Sequence, residues 1–415
     1  MKSWITYLTA TLMGLATTLL LGQFSQYCRL VQSITSVLIQ LGGFILIPIV
    51  FITFASAVAS LRKDRLGAKT AGSTFLWSLL STIILSLAGT LVFKILPVAF
   101  PATSTAGADT GAVVNYISAV RKAVSQSLVP ANPFYTLAST QSLLLPVVLT
   151  AWLLGFFLKP SNEMIRPAYV VMNSFSEVMY KLSTTFSIYG FAFVFFASSA
   201  FFSTLQSEGT VFVAGHFLLV LLILALAVML GLLPLLFGIF TGFKDNPYRI
   251  LYRSLAPLLA SLFSANIFFA SPITLAVSRK SLGIQKRVAS STIPINIIFS
   301  KGGSALVSSF SIIGLVYAAS GTIPSIQLLL IIAMGCTVVS FISSAYLGYE
   351  VFFITYLTLK MLGIDLHEAE MTLVGILPLL CGIGTMIDSY LACLGASVTS
   401  LWLETGTQVM YEDIL

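Results

Sequence analysis

Residues 296–309 read NIIFSKGGSALVSS, and the reading of Lys301 inside them decides what kind of molecule this is. A lysine stands in an apolar segment, one residue before the pair Gly302–Gly303. Glycine loosens a helix interior, so the stretch FSKGGS at 299–304 predicts a broken helix. A lone charge at the centre of a bilayer costs roughly 2.5 to 3.5 kcal/mol on insertion scales. Whether that cost applies depends on the rest of the chain.

The chain has 415 residues, 57% of them hydrophobic and only 8% charged, with a mean hydropathy of +1.00. Soluble domains carry about 25% charged residues, so this chain cannot build a water-facing surface. Apolar blocks long enough to cross a bilayer recur at 5–22, 35–60, 73–98, 136–158, 210–240, 305–335 and 370–400. An all-α polytopic membrane protein is expected. The net charge of +7 lies in short runs at the ends of spans, such as LRKDR at 61–65, RK at 279–280 and KR at 286–287. Such runs mark cytoplasmic loops and do not point to nucleic acid. The first apolar block lacks a small-x-small cleavage site and reads as a retained helix. Cys28, Cys336, Cys381 and Cys393 show no ligand spacing, and His216 and His367 stand alone, so no metal set or cofactor is indicated. No nucleophile–base pair or phosphate-cradling loop is present, which argues against an enzyme.

The texture changes near residue 251. Up to there the spans are long, with a polar loop at 101–126 followed by Pro130 and Pro133. Beyond it, half-length segments at 254–268 and 270–278 meet at SANIFFASPI, and a second pair at 325–341 and 348–363 meets at FISSAYLGYE. The broken helix lies between the two pairs. Short, Gly/Pro-interrupted apolar segments point to the central site of a secondary transporter, because irregular backbone at membrane depth survives only against protein or a cavity. Three ionisable residues are expected at membrane depth: Lys301, Glu350 and Asp388. Lys301 and Asp388 form the expected couple, with Glu350 placed nearer the aqueous face. The couple is either a working site or a fixed bridge between two helices, since a buried pair is weak evidence of stability.

Four colinear stretches resemble the dicarboxylate/amino acid:cation symporter family, the sodium-coupled glutamate/aspartate transporters. LIPIVFITFASAVASLRKDRLGAKT (46–70) is similar to the second helix of that family, and LVPANPFYTLASTQSLLLPVVLTAWLLG (128–155) to the start of its fourth. SPITLAVSRKSLGIQKRVASSTIPI (271–295) resembles the stretch after its first re-entrant hairpin, and FSKGGS its unwound seventh helix. The resemblance implies eight transmembrane helices and two re-entrant helical hairpins, in an elevator-type transport domain on a trimerisation scaffold. In those terms residues 1–250 hold helices 1–6, the scaffold helices together with helices 3 and 6 of the transport domain. Residues 251–405 hold the core transport region, with hairpin 1 at about 254–278, helix 7 at about 291–320, hairpin 2 at about 325–363 and helix 8 at about 370–404. Residues 406–415 form a tail.

The site chemistry departs from the family. Where the family has Asn-Met-Asp-Gly-Thr, this chain has Ser300, Lys301, Gly302, Gly303 and Ser304. The serine-rich tip of the first hairpin is matched by Asn266, Ile267 and Phe268, and the second tip by Ser343, Ser344, Ala345, Tyr346, Leu347 and Gly348. In the eighth helix, the aspartate that holds a substrate amino group falls at Cys381, the carboxylate-gripping arginine at Gly384 and a sodium-ligating aspartate at Ala392. Thr385 persists, and the family asparagine is matched by Asp388. The resemblance therefore implies contacts from Asn266, Ser300, Lys301, Ser304, Ser343, Ser344, Thr385 and Asp388, with Gly302, Gly303 and Gly348 at the breaks. An arginine fork is what grips a carboxylate bidentately, and a glycine cannot supply one. Lys301 stands as a fixed cation where sodium would bring positive charge, so coupling is expected to be altered, with a proton as the other candidate ion. The expected function is a symporter for a small polar or anionic solute, such as a dicarboxylate or amino acid, with the lipid bilayer as surroundings, a homotrimer as assembly and a bacterial inner or plasma membrane as location. The competing reading is a non-transporting receptor, regulator or structural protein, or an anion conductor, on the same fold.

Overall fold

The computed structural model describes residues 3–100, 117–118, 120, 144–207, 210–343, 349–364 and 373–405, and every regular element among them is helical. In chain order come α1 (Ser3–Leu21), α2 (Ser25–Lys63), α3 (Gly67–Ile95), α4 (Leu144–Phe157) and α5 (Arg166–Ser207). A long helix follows as α6 (Thr210–Ala227), a π turn at Val228–Leu232 and α7 (Leu233–Thr241). Pro234 at the start of α7 lacks the amide an α-helical ladder would use, which accounts for the wider turn. Next are α8 (Pro247–Arg253), α9 (Leu255–Ser264), α10 (Ile267–Lys280), α11 (Lys286–Phe299), α12 (Gly302–Ser320), α13 (Ile326–Ile342), α14 (Glu350–Met361) and α15 (Leu377–Trp402).

Seven helical stretches among the described residues are long and apolar enough to cross a membrane. One of them, Arg166–Gln206, is missing from the blocks read off the sequence, because Asn173, Glu177 and Lys181 interrupt its apolar run. Conversely, the apolar block 305–335 is two elements: Gly321, at φ +66, caps the end of α12, and the chain turns before α13 begins. Both half-length pairs are pairs of short helices, α9–α10 (the first hairpin) and α13–α14 (the second), the residues 344–348 that join the latter lying outside the described residues. The ten residues of α9 cover about 15 Å at 1.5 Å per residue, about half a hydrocarbon core. The first hairpin turns at Ala265 and Asn266, a few residues before the expected junction at 268–270, and Pro272 lies inside α10.

The long helices differ in how much protein surrounds them. The most apolar window of α1 is 28% buried, whereas those of the α11–α12 pair and of α15 are 78% and 83% buried. The broken helix and α15 therefore form the enclosed centre, and α1, α2 and α5 turn more of their surface outward. Against this centre α3 lays a stripe of small residues, Ser73, Thr74, Ser78, Ser81, Thr82, Ser86 and Gly89, all buried and repeating every three or four positions. Small residues let membrane helices approach closely. The helix also makes polar ties, from Ser86 Oγ to the Ala333 carbonyl at 2.8 Å and from Trp77 Nε1 to the Leu391 carbonyl at 3.1 Å.

Candidate functional site

The break between α11 and α12 consists of Ser300 (φ −88, ψ 66) and Lys301 (φ −98, ψ 31). Gly302 and Gly303, expected to make the break, are already the first residues of α12, and neither has positive φ. Their lack of a side chain serves packing instead. A Cβ on Gly302 would stand 2.8 Å from Leu85 Cδ1, and one on Gly303 would stand 2.5 Å from Ile387 Cβ. Gly303→Ala is accordingly expected to cost about 1–3 kcal/mol, the usual price of overpacking. Gly72→Ala on α3, where a Cβ meets nothing within 4 Å, should be neutral or slightly stabilising. Thermal melting of the two variants side by side checks this.

A helix start leaves four amides without intrahelical partners, and here α15 supplies the cap. Asp388 Oδ1 accepts from the amides of Gly303 at 2.7 Å and Ser304 at 3.3 Å, and its Oδ2 accepts from Ser304 Oγ at 2.6 Å. The α12 N-terminus carries roughly half a positive charge from its aligned peptide dipoles, so this fully buried carboxylate is held by α12 without an ion pair to the lysine.

Lys301 pairs elsewhere. Its Nζ lies 3.1 Å from Glu350 Oε1, and neither side chain is exposed at all. The ammonium also sits 5.2 Å from the centre of the Phe268 ring, at the start of α10. One cation thus joins the helix break, the first hairpin and the second. Both expectations about these charges are corrected: Lys301 is coupled to Glu350 rather than Asp388, and Glu350 lies in the protein centre rather than near water. The reason is geometric, because the Asp388 oxygens are already taken by α12, while Glu350 opens α14 beside the break.

The remaining expected contacts divide into occupied and open groups. Asn266 is the N-cap of α10, its Oδ1 accepting from the amides of Phe268 and Phe269 at 2.9 and 3.2 Å. Thr385 Oγ faces the Ser261 carbonyl of α9 at 3.0 Å and the Cys381 carbonyl of its own helix at 2.8 Å. Ser343 Oγ donates to the Ser340 carbonyl at 2.9 Å. These three hold local structure, so their expected place among the site's contacts rests on the resemblance alone. Ser300 Oγ and Glu350 Oε2 are buried with no hydrogen-bond partner among the described residues, as are Thr355 Oγ on α14 and Ser389 Oγ on α15. Ser344 and Gly348 lie outside the described residues.

The positions where the resemblance places substrate- and sodium-binding groups are closely packed. A Cβ on Gly384 would meet Ser304 Cα at 3.1 Å and Val351 Cγ2 at 3.3 Å, so an arginine at 384 would push α12 and α14 away. The Ala392 carbonyl accepts from Asn296 Nδ2 at 3.4 Å. No group of three or more His, Cys, Asp or Glu side chains occurs among the described residues. A sodium ion wants several oxygen ligands; here the Asp388 carboxylate is filled by N–H and O–H donors, and the Glu350 carboxylate is held by the Lys301 ammonium. These residues do not fit a sodium ion at the break. What they offer is a dry cation holding one carboxylate oxygen, with the other oxygen and a serine hydroxyl unused. Glu350 was the residue least favoured from the sequence, although the cost of burying any charge had already marked it.

A model of a family described as the sodium:dicarboxylate symporter family matches residues 4–402, nearly the whole chain. No curated protein matches it.

Proposed function

The chain belongs to the sodium:dicarboxylate symporter family, whose members are transporters and not enzymes, and we propose that it carries a small polar or anionic solute with sodium coupling altered or lost. It is a multi-pass integral membrane protein. The observation that carries the proposal is the Lys301 ammonium, fully buried at the helix break and held by a carboxylate from the second hairpin. An ammonium at that point does electrostatically what a bound sodium ion would do, and excludes one by repulsion. A solute carboxylate is the natural ligand for the same ammonium, and the unpartnered Ser300 hydroxyl lies next to it in the chain.

The proposed architecture is eight spans and two re-entrant hairpins, with α4 (Leu144–Phe157) completing the eighth, in a homotrimer of a bacterial inner or plasma membrane. The α9–α10 and α13–α14 hairpins, the broken helix and α15, joined by α3 and the α6–α7 helix, would move as a transport domain against α1, α2, α4 and α5. The hairpins bracketing the break support this reading, as does the enclosure of α11, α12 and α15.

Calorimetry with the detergent-solubilised protein tests it, using dicarboxylates and acidic and neutral amino acids with and without sodium. Binding of an anionic member of the panel is expected to be independent of sodium and absent in Lys301→Met/Glu350→Gln, a variant that leaves no charge unpaired. Binding that requires sodium would overturn the altered coupling. The close packing at Gly384 favours a second reading, a non-transporting or anion-conducting protein in which the charged pair is only a lock. Absence of binding across the panel, with a wild-type melting temperature for the double variant, would support that reading instead.

A further inference from the structure

Away from the charged pair, a cavity of ≈ 510 Å³ opens between the end of α2, the start of α3, α4 and α11. Its walls are apolar, with Val58, Trp152, Phe156 and Ile295 among them, while Arg62 and Arg65 line it where α2 runs into the next loop. Cavities of this size hold drug-sized ligands, and their few polar groups fix orientation. Arg62 lies 4.1 Å over the Phe156 ring and donates to the Phe156 carbonyl, so its guanidinium is positioned without a carboxylate partner. Arg65 has neither an ion pair nor a side-chain hydrogen bond among the described residues. The nearby acid, Asp64, is paired with Arg287, which leaves both arginines without a counter-charge among the described residues.

We propose that this cavity is a binding site for an anionic phospholipid, with an acyl chain between α2, α4 and α11 and the phosphate on Arg62 and Arg65. Three observations select that occupant. The apolar stretch of α2 ends at Leu61 and the two arginines follow it, the arrangement in which basic pockets at the ends of membrane helices take anionic headgroups. Apolar walls beneath paired cations suit an amphiphile and not a free ion. The cavity also joins α11 of the enclosed centre, and α3 packed against that centre, to α2 and α4, so a lipid there would wedge the two groups of helices together. The site is independent of the coupling mechanism proposed above.

Delipidated full-length protein in detergent is titrated with phosphatidylglycerol, phosphatidylcholine and inorganic phosphate, with native mass spectrometry and thermal melting as readouts. Phosphatidylglycerol is expected to be retained and to raise the melting temperature where phosphatidylcholine does not. Arg62→Ala/Arg65→Ala should weaken its retention on the order of ten- to thirtyfold. Ala71→Trp, which fills the cavity from α3 and keeps both arginines, should weaken it as well. Equal retention of phosphatidylcholine, an unchanged affinity in both variants, or full reproduction of the stabilisation by inorganic phosphate would each overturn the proposal, the last in favour of a simple anion site.

Discussion

Replacing Asp388 by alanine is expected to lower the stability of the protein by about 3–5 kcal/mol, more than the loss of any hydroxyl named here. The carboxylate takes three donors at the start of α12, at 2.6 to 3.3 Å, in a place without water exposure. Hydrogen bonds to a charged group are worth about 1.5–3 kcal/mol each, and a donor left unpaired in the interior costs about 1–3 kcal/mol. Asp388→Ala would strand two amides and one hydroxyl at once. Asp388→Asn should recover more than half of the loss, because its carbonyl oxygen can still accept from the Gly303 and Ser304 amides. Melting curves of the two variants decide the matter. If alanine and asparagine were equally harmful, the charge itself would be the requirement and the capping role assigned to Asp388 would be wrong.

The second large effect belongs to the pair of Lys301 and Glu350. Removing one member of a buried ion pair typically costs 3–5 kcal/mol, whereas replacing both by apolar or neutral groups is often tolerated. Lys301→Met and Glu350→Gln are each expected to destabilise by that amount, and the double variant to return to within about 1 kcal/mol of the parent. A double-mutant cycle on unfolding isolates the coupling. Costs that merely add would show that the two charges do not depend on each other and would remove the contact between helix break and second hairpin from the argument. Lys301→Met/Asp388→Asn gives the complementary control. The structure expects less rescue there, since Asp388 is bonded to α12 and makes no ion pair with the lysine.

Much of this architecture was legible in the residues alone. The sparse charge and long apolar blocks determined a polytopic helical membrane protein, because a chain with 8% charged residues cannot be wetted on its outside. The half-length segments and FSKGGS marked short helices on either side of a broken helix, since helix length and backbone continuity are local properties. Even so, local reading lost the Arg166–Gln206 span, whose polar residues dilute its apolar signal. The choice of partners was not local at all. Lys301 had two carboxylates within its apolar surroundings, and their sequence separations of 49 and 87 residues carry no distance. Only the packed structure shows the Asp388 oxygens filled by the amides and hydroxyl of α12 and Glu350 delivered by α14. The glycine pair shows the same division. Its sequence announces a special backbone site, but whether glycine is there to turn the chain or to admit a neighbour depends on what lies 3 Å away, and tertiary packing put Leu85 and Ile387 there.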